Sequence, residues 1–418
     1  MVITDFDELY GLEIPDGWTV EKLEPKVGNV KSGKRLPKGY YVVDTHTNHP
    51  YIRVIDMRQG YVDTSDLRYV PEEAFSAIQN YRIYKDDIYI SVAGTLGIVG
   101  QIPEHLDGAN LTENANRVTN IKCNIKYLMY WLMGSIIQNT ISQTQTLGAQ
   151  PKLALTRIRN FPVILPPEKE QEKIAGALSD VDILITDLQK LIRKKKDIRQ
   201  GTMQMLVPGK KRLDGFSGAW TTKPLEKFCD LITDGSHESP SEYLDGFYMP
   251  SVKDMTDSGF DFSNCKRISK ADYERLVANG CKPEIGDVLI AKDGSMLKYV
   301  FPVKENHNIV ILSSIAILRP KKNVLSSSYL TYYFRQPRFV EQVIKSNQTG
   351  TGVPRIVLKN FKKIELHVPE ELNEQEAIAS ILFDMDNDIW ALEKKLKKLV
   401  AIKQGMMEEL LTGKVRLV

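Results

Sequence analysis

The sequence predicts an α+β protein built on one plan used twice. Two globular α/β domains are each followed by a long helix, and the two helices pair antiparallel as a coiled coil about a pseudo-twofold axis. Three observations predict this. The second half repeats the first at a constant offset, the repeated segments carry apolar residues at coiled-coil spacing, and the stretches between them read as short strands bounded by Gly-containing turns.

The repeat is the firmest of the three. Gln171 falls on Gln375, Asp180 on Asp384, Asp182 on Asp386, Leu188 on Leu392, Gln200 on Gln404, Gly201 on Gly405, Gly209 on Gly413 and Arg212 on Arg416, all at an offset of 204 residues. "PDGWTVEKLE" around Trp18 corresponds to "SGAWTTKPLE" around Trp220 at an offset of 202. Residues 19–160 and 221–360, between these markers, share only a loose plan. Similar ends around unlike middles describe one scaffold carrying two different heads. The divisions are therefore 1–165, a first head; 166–212, a central helix; 213–368, a second head; and 369–418, a terminal helix.

In the first head "DDIYISVAG" reads as a short apolar strand ending in a Gly turn, and "GDVLIAKDGS" is its counterpart in the second. "YIRVIDMRQGYVD" and "YMPSVKDMTDSGFD" read as equivalent strand-turn units, with Arg53 and Lys253 at matching places. "IKYLMYWLMGSIIQNTI" reads as an amphipathic helix, and "SYLTYYFRQPRFVEQVIK" takes its place in the second half. Both lead into polar, Gly-containing stretches, "SQTQTLGAQPK" and "SNQTGTGVPR".

The helices follow. Ile174, Leu178, Val181, Ile185, Leu188 and Ile192 alternate steps of four and three, as do Ile378, Leu382, Met385, Ile389, Leu392, Leu396 and Leu399, extended by Met406 and Leu410. Pro166, Pro167 and Pro369 mark the entrances, and Gly209 and Gly413 the exits. Each helix has room for about 35–40 residues, or roughly 50–60 Å. The first seam turns polar at Lys195 and Arg199, which predicts looser packing in its last turns. A coiled coil between two chains is the alternative, but the repeat supplies each helix with a partner in its own chain.

Composition narrows the class. The chain of 418 residues has 42% hydrophobic and 26% charged residues and a net charge of +3, which fits several folded domains and requires any anionic partner to meet local basic faces. No apolar run is long enough to span a bilayer and no basic-then-apolar leader is read, so the cytoplasm is the expected compartment. Cys123, Cys229, Cys265 and Cys281 have no metal-like spacing and read as reduced thiols.

A diverging middle, a polar Gly-rich loop, an aromatic-polar strand, Pro, Glu-Gln and a long helix, all occurring twice, resemble the specificity subunits of type I restriction-modification systems. The strongest motifs are "PPEKEQEKIAGALSDVD" and "NEQEAIASILFDMDNDI", followed by "ITDGSHESP" and "GDVLIAKDGS". The first-half segments "KVGNVKSGKRLP" and "KDDIYISVAGTLG" match the latter two less closely. The resemblance implies that each head is a target recognition domain reading one half of a two-part, asymmetric double-stranded DNA site, with the paired helices as spacer. It also implies two methyltransferase subunits docked on the chain and two restriction/translocase subunits in the larger complex. S-adenosylmethionine, ATP and Mg²⁺ would belong to those partners, and this chain would hold no cofactor or metal and catalyse nothing. A coiled-coil scaffold that organises proteins without reading DNA is the competing function.

Candidate DNA contacts lie in the polar loops: Gln143, Gln145, Gln150 and Lys152 in the first half, and Asn347, Gln348, Thr349 and Arg355 in the second. Amide side chains can bond adenine in pairs, and Arg can do the same with guanine. Lys31, Lys34, Arg35 and Lys38 form a basic cluster suited to phosphate. The resemblance adds Asp234, Gly235, Ser236 and His237, and Lys292 and Ser295 are comparable. Plain solvated loops, and a turn held by the Asp234 side chain, are the alternatives. The run Arg193–Lys196 reads as a solvated helix face. Signs of catalysis are weak. Asp16, Glu24 and Lys26 formally fit a nuclease pattern that Pro25 interrupts, His46 and His49 have no evident co-ligands, and no P-loop, Asn-Pro-Pro-Tyr or nucleophile elbow is found.

Overall fold

A computed structural model describes residues 13–143, 152–347 and 355–417, apart from the Asn347 side chain. It divides into two compact units, Met1–Gln189 with Lys394–Val418, and Lys190–Glu393. Each unit therefore takes one head and a portion of both long helices.

The first head contains β1 (Thr19–Lys22), β2 (Asn29–Ser32), β3 (Pro50–Ile52), β4 (Arg68–Tyr69), α1 (Glu72–Ile78), β5 (Arg82–Ile83), β6 (Ile88–Ser91), β7 (Val99–Gly100), β8 (Ala109–Leu111), β9 (Ala115–Thr119), α2 (Ile125–Met133), α3 (Ser135–Ser142), α4 (Leu155–Arg159) and β10 (Pro162–Leu165). One sheet runs β2-β9-β6-β7 and a second β4-β3-β8-β5, while β1 pairs with β10. All four β6 residues are buried because the strand is covered on both faces. Ile88 and Ile90 join the core formed with α2 and α3, and Tyr89 joins Ile52, Ile83 and Leu111 of the second sheet.

The second head repeats the arrangement. Its elements are β11 (Trp220–Pro224), β12 (Cys229–Asp234), β13 (Phe247–Tyr248), β14 (Arg267–Ile268), β15 (Val288–Ala291), β16 (Val300–Pro302), β17 (Ile315–Pro320) and β18 (Glu365–Pro369). The main sheet runs β12-β17-β15-β16, and β11 pairs with β18. Val288 and Ile290 of β15 face one core and Leu289 and Ala291 the other.

Two expectations for the heads change. Each presumed amphipathic helix is two helices. Gly134 takes extended angles and divides α2 from α3, and Pro337 starts a new helix, Pro337–Asn347, after Ser327–Tyr333. In α2 residues 127–132 are all buried, so it is a core helix whose exposed side chain is Lys126. Arg53 matches Ser251 rather than Lys253: each starts a single 3₁₀ turn closed by Asp56 or Asp254, and Lys253 lies opposite Ile55.

The long helices, α5 (Glu168–Leu206) and the chain's last helix (Leu372–Leu410), have 39 residues each and run antiparallel. In the first unit Asp182 pairs with Lys403 Nζ at 2.6 Å, and Ile174 and Leu178 pack with Leu410 and Leu411. In the second, Arg199 Nε lies 2.8 Å from Asp386, and Met203, Leu206 and Val207 pack with Ile378, Ala379 and Leu382. Asp182 and Asp386, equivalent in the repeat, thus each meet a cation at the equivalent position 199 or 403, and each accepts a tyrosine hydroxyl, from Tyr130 and Tyr332. Between Ile192 and Met203 no residue of the first seam is buried. Lys195 pairs with Asp388 and Lys196 with Glu393, and the buried Met203 and Leu206 follow. The basic run is therefore partly an ion-pair face.

A clasp closes each unit. In the first, Glu170 accepts Arg416 Nε at 2.7 Å and Nη2 at 2.9 Å, and Trp18 Nε1 at 3.1 Å. In the second, Glu374 accepts Arg212 Nε at 3.0 Å and Nη2 at 2.6 Å. Arg416 Nη1 donates to Asp16 O, and Arg212 Nη1 to Gly218 O. The first clasp carries two further bonds to Glu170, from Trp18 Nε1 and from Leu417 N at 3.2 Å, whereas the buried Trp220 Nε1 has no acceptor among the described residues.

Candidate nucleic-acid interface

Three stems meet at the same end of each main sheet. In the second head they are the ends of β12 and β15 and the segment starting at Arg355. Gly235 N donates to Ile315 O and Ser236 N to Ile311 O. Lys292 N donates to Ser314 O, Ile356 N donates to Lys292 O, and Asp293 bridges Arg355. The first head repeats the frame bond for bond. Gly33 N donates to Ala115 O, Lys34 N to Leu111 O, Val92 N to Asn114 O and Leu153 N to Val92 O, and Ala93 bridges Lys152.

Glycine is required where the backbones come closest. A Cβ on Gly33 would stand 2.0 Å from Thr112 O, and one on Gly235 2.0 Å from Ile311 O. These positions make the two poorly matched sequence segments equivalent, a relation the side chains alone do not reveal.

The candidate residues divide into groups. Lys31, Lys34, Arg35 and Lys38 are exposed. Arg35 Nε lies 3.4 Å from Glu113, and the Lys34 ammonium lies 5.6 Å from the Tyr81 ring centre. Lys152 and Arg355 are exposed at equivalent bridges, and Gln143 is exposed where α3 ends. His237 is exposed, 3.4 Å from Asp234. Ser236 is buried and its hydroxyl donates to Glu238 O, so it shapes its own turn. Ser295 is half-buried and its carbonyl accepts Lys298 N. Lys292 is buried, with Asp234 at 3.2 Å and Asp293 at 3.3 Å. Gln145, Gln150, Gln348 and Thr349 lie outside the described residues, and for Asn347 only the backbone, at the end of its helix, is described.

Nothing in this geometry assembles a catalytic centre from the weak motifs. Glu24 accepts Val30 N and pairs with Arg159 at 2.5 Å. His49 stacks on Phe75 and bonds Glu72 at 3.0 Å, rather than lying in an open loop. No group of three potential metal ligands occurs among the described residues. The four cysteines are free, and burial pushes the Cys123 and Cys229 thiols up to about 12, which keeps them as unreactive thiols.

The sequence matches the type I restriction modification DNA specificity domain family twice, over residues 15–200 and 219–401. The chain belongs to this family. As a specificity subunit with two target recognition domains, it is similar along its length to the EcoKI specificity subunit of Escherichia coli, at 19% identity over 97% of this chain and 89% of that one. The type I S subunit from M. genitalium, known from a crystal structure, shares the fold with a TM-score of 0.58 at 16% identity, covering 96% of this chain and 98% of that one. A chain from a structure concerned with complex assembly and conformational transition of the type I system superposes with a TM-score of 0.56 at 16% identity, over 96% of this chain and all of that one. No described helix of this specificity subunit is long and apolar enough to cross a membrane.

Proposed function

We propose that each head of this specificity subunit reads one half of a bipartite, asymmetric DNA site through the loops on its three converging stems. One observation supports this reading above the others: the two heads share a bond-for-bond frame but carry different side chains on it. Equivalent frames suit two similar partners, and different loops suit two different half-sites. The paired helices set the gap between half-sites and dock two methyltransferase subunits, with two restriction/translocase subunits joining the larger complex. S-adenosylmethionine, ATP and Mg²⁺ act on those partners; this chain supplies none of the chemistry and takes no cofactor. Lys31, Lys34, Arg35 and Lys152 provide phosphate contacts for the first reader, and its glutamines and Arg355 of the second are suited to base edges.

The test is an exchange of residues 19–160 for the corresponding reader of a homologue, followed by mapping of methylated adenines in cells that express the complete complex. One half of the site changes and the other half stays. Change in both halves, or in neither, refutes modular reading, and absence of sequence-specific retardation of a duplex by the intact complex would leave only a scaffold.

A further inference from the structure

We propose that the buried Lys292–Asp234 ion pair is a positioning device of the second reader, which registers its three loop stems and touches no DNA. The inference rests on the DNA-reading function above and changes the role of Lys292 within it.

Asp234 is the last residue of β12 and Lys292 follows the last residue of β15. Their side chains are only 10% and 8% exposed, so neither reaches a groove. The Lys292 ammonium lies 3.2 Å from Asp234 Oδ2 and 3.3 and 3.4 Å from the two Asp293 oxygens. Lys292 also carries the third stem, because its carbonyl accepts Ile356 N and the neighbouring Asp293 bridges Arg355. Asp234 in turn meets His237 in the loop it launches. Lys292 thus joins the first two stems through its ammonium and carries the third on its carbonyl. Buried charges are tolerated only when paired, so stem registers that separate Lys292 from Asp234 are strongly disfavoured.

The first head shows that this pair is not needed to build the frame. Ser32 pairs across the sheet with Asn116 as Asp234 does with Ala316. Val92 makes both backbone bonds that Lys292 makes, donating to Asn114 and accepting from Leu153. Ser32 and Val92 close the same three stems without charge. The pair is therefore peculiar to one reader, as expected of a device that serves its loops rather than the fold.

The experiment uses the complete complex with its methyltransferase subunits and duplex libraries randomised in one half-site at a time. The variants are Lys292→Met, Asp234→Asn and the double change Asp234→Ser with Lys292→Val, which installs the first reader's residues. Each single variant lowers discrimination at the second half-site about five- to a hundredfold, the size of one mismatched base pair. Discrimination at the first half-site stays at the wild-type level, and so does the salt dependence of binding. The double variant recovers the wild-type melting temperature but not second-site discrimination. Full second-site discrimination in the double variant or in a folded single variant overturns the proposal. A salt slope reduced by about one also does so, because it marks Lys292 as a phosphate contact. Wild-type complex that discriminates at neither half-site overturns the DNA-reading function as well.

Discussion

Replacing Gly235 with Ala is the most direct perturbation of the interface frame. The new Cβ would lie 2.0 Å from Ile311 O, 2.4 Å from Ile311 C and 2.7 Å from Leu312 C, all backbone atoms that cannot turn aside. Overpacking costs about 1–3 kcal/mol, and the rigid neighbour argues for the upper end. Ile311 O also accepts Ser236 N at 2.8 Å, a bond that the displaced loop would lose, adding about 1 kcal/mol. The sum, about 3–4 kcal/mol, lowers the melting temperature of a unit of this size by about 6–16 °C. Two other glycines separate the clash from a general effect of losing glycine. Gly259 has nothing within 4 Å and ordinary angles, so alanine there changes stability by less than about 0.5 kcal/mol. Gly94 has open space but φ of +77°, which costs alanine about 1–2 kcal/mol. Calorimetric melts should rank the variants Gly259, Gly94, Gly235 in increasing damage, with half-site discrimination measured on the same samples. A Gly235→Ala protein as stable as Gly259→Ala would refute the close-approach reasoning for both heads, because Gly33 makes the equivalent contact.

Leu178→Ala, at a fully buried seam position, should cost about 2–5 kcal/mol in denaturant titrations. Leu191→Ala, at a position 42% exposed, should fall within about 0.5 kcal/mol of wild type, and equal losses would contradict the assigned seam. The Glu170 carboxyl is held below its ordinary value of 4.5, first by Arg416 and also by Trp18 against the opposing effect of burial, so its contribution is present above that value and fades as pH falls through the lowered one. The melting-temperature gap between wild type and Glu170→Gln should therefore be full near neutrality and shrink in acid; a gap that widens in acid reverses the sign. Arg355→Ala should weaken discrimination by about 1–3 kcal/mol if the side chain reads a base, whereas a uniform loss over all sequences identifies a phosphate contact.

The seam and the repeat could be read from the sequence because helical spacing is a local property and a constant offset needs no geometry. Ile174, Leu178, Ile378 and Leu382 are buried as their spacing required. The breaks at Gly134 and Pro337 were signalled by residue type but hidden within long apolar runs, where continuity dominated the pattern. The clasps and the Lys292–Asp234 pair were less accessible. Glu170 and Arg416 are 246 residues apart, and Asp234 and Lys292 become neighbours only when β12 and β15 flank β17. Lysine in a loop-like motif reads as a surface cation, and only the fold shows that its ammonium has turned inward. The register of Arg53 is set not by basic side chains but by the shared 3₁₀ turn closed by Asp56 and Asp254, an offset the basic residues do not follow.

The two clasps differ in how the chain passes through them. Between Arg212 and Trp220 the backbone is continuous, whereas Arg416 meets Asp16 across 400 residues and lies over Trp18. The first clasp forms without a short connecting loop, so a chain cut between Gly218 and Trp220 should still bring the second clasp's partners together.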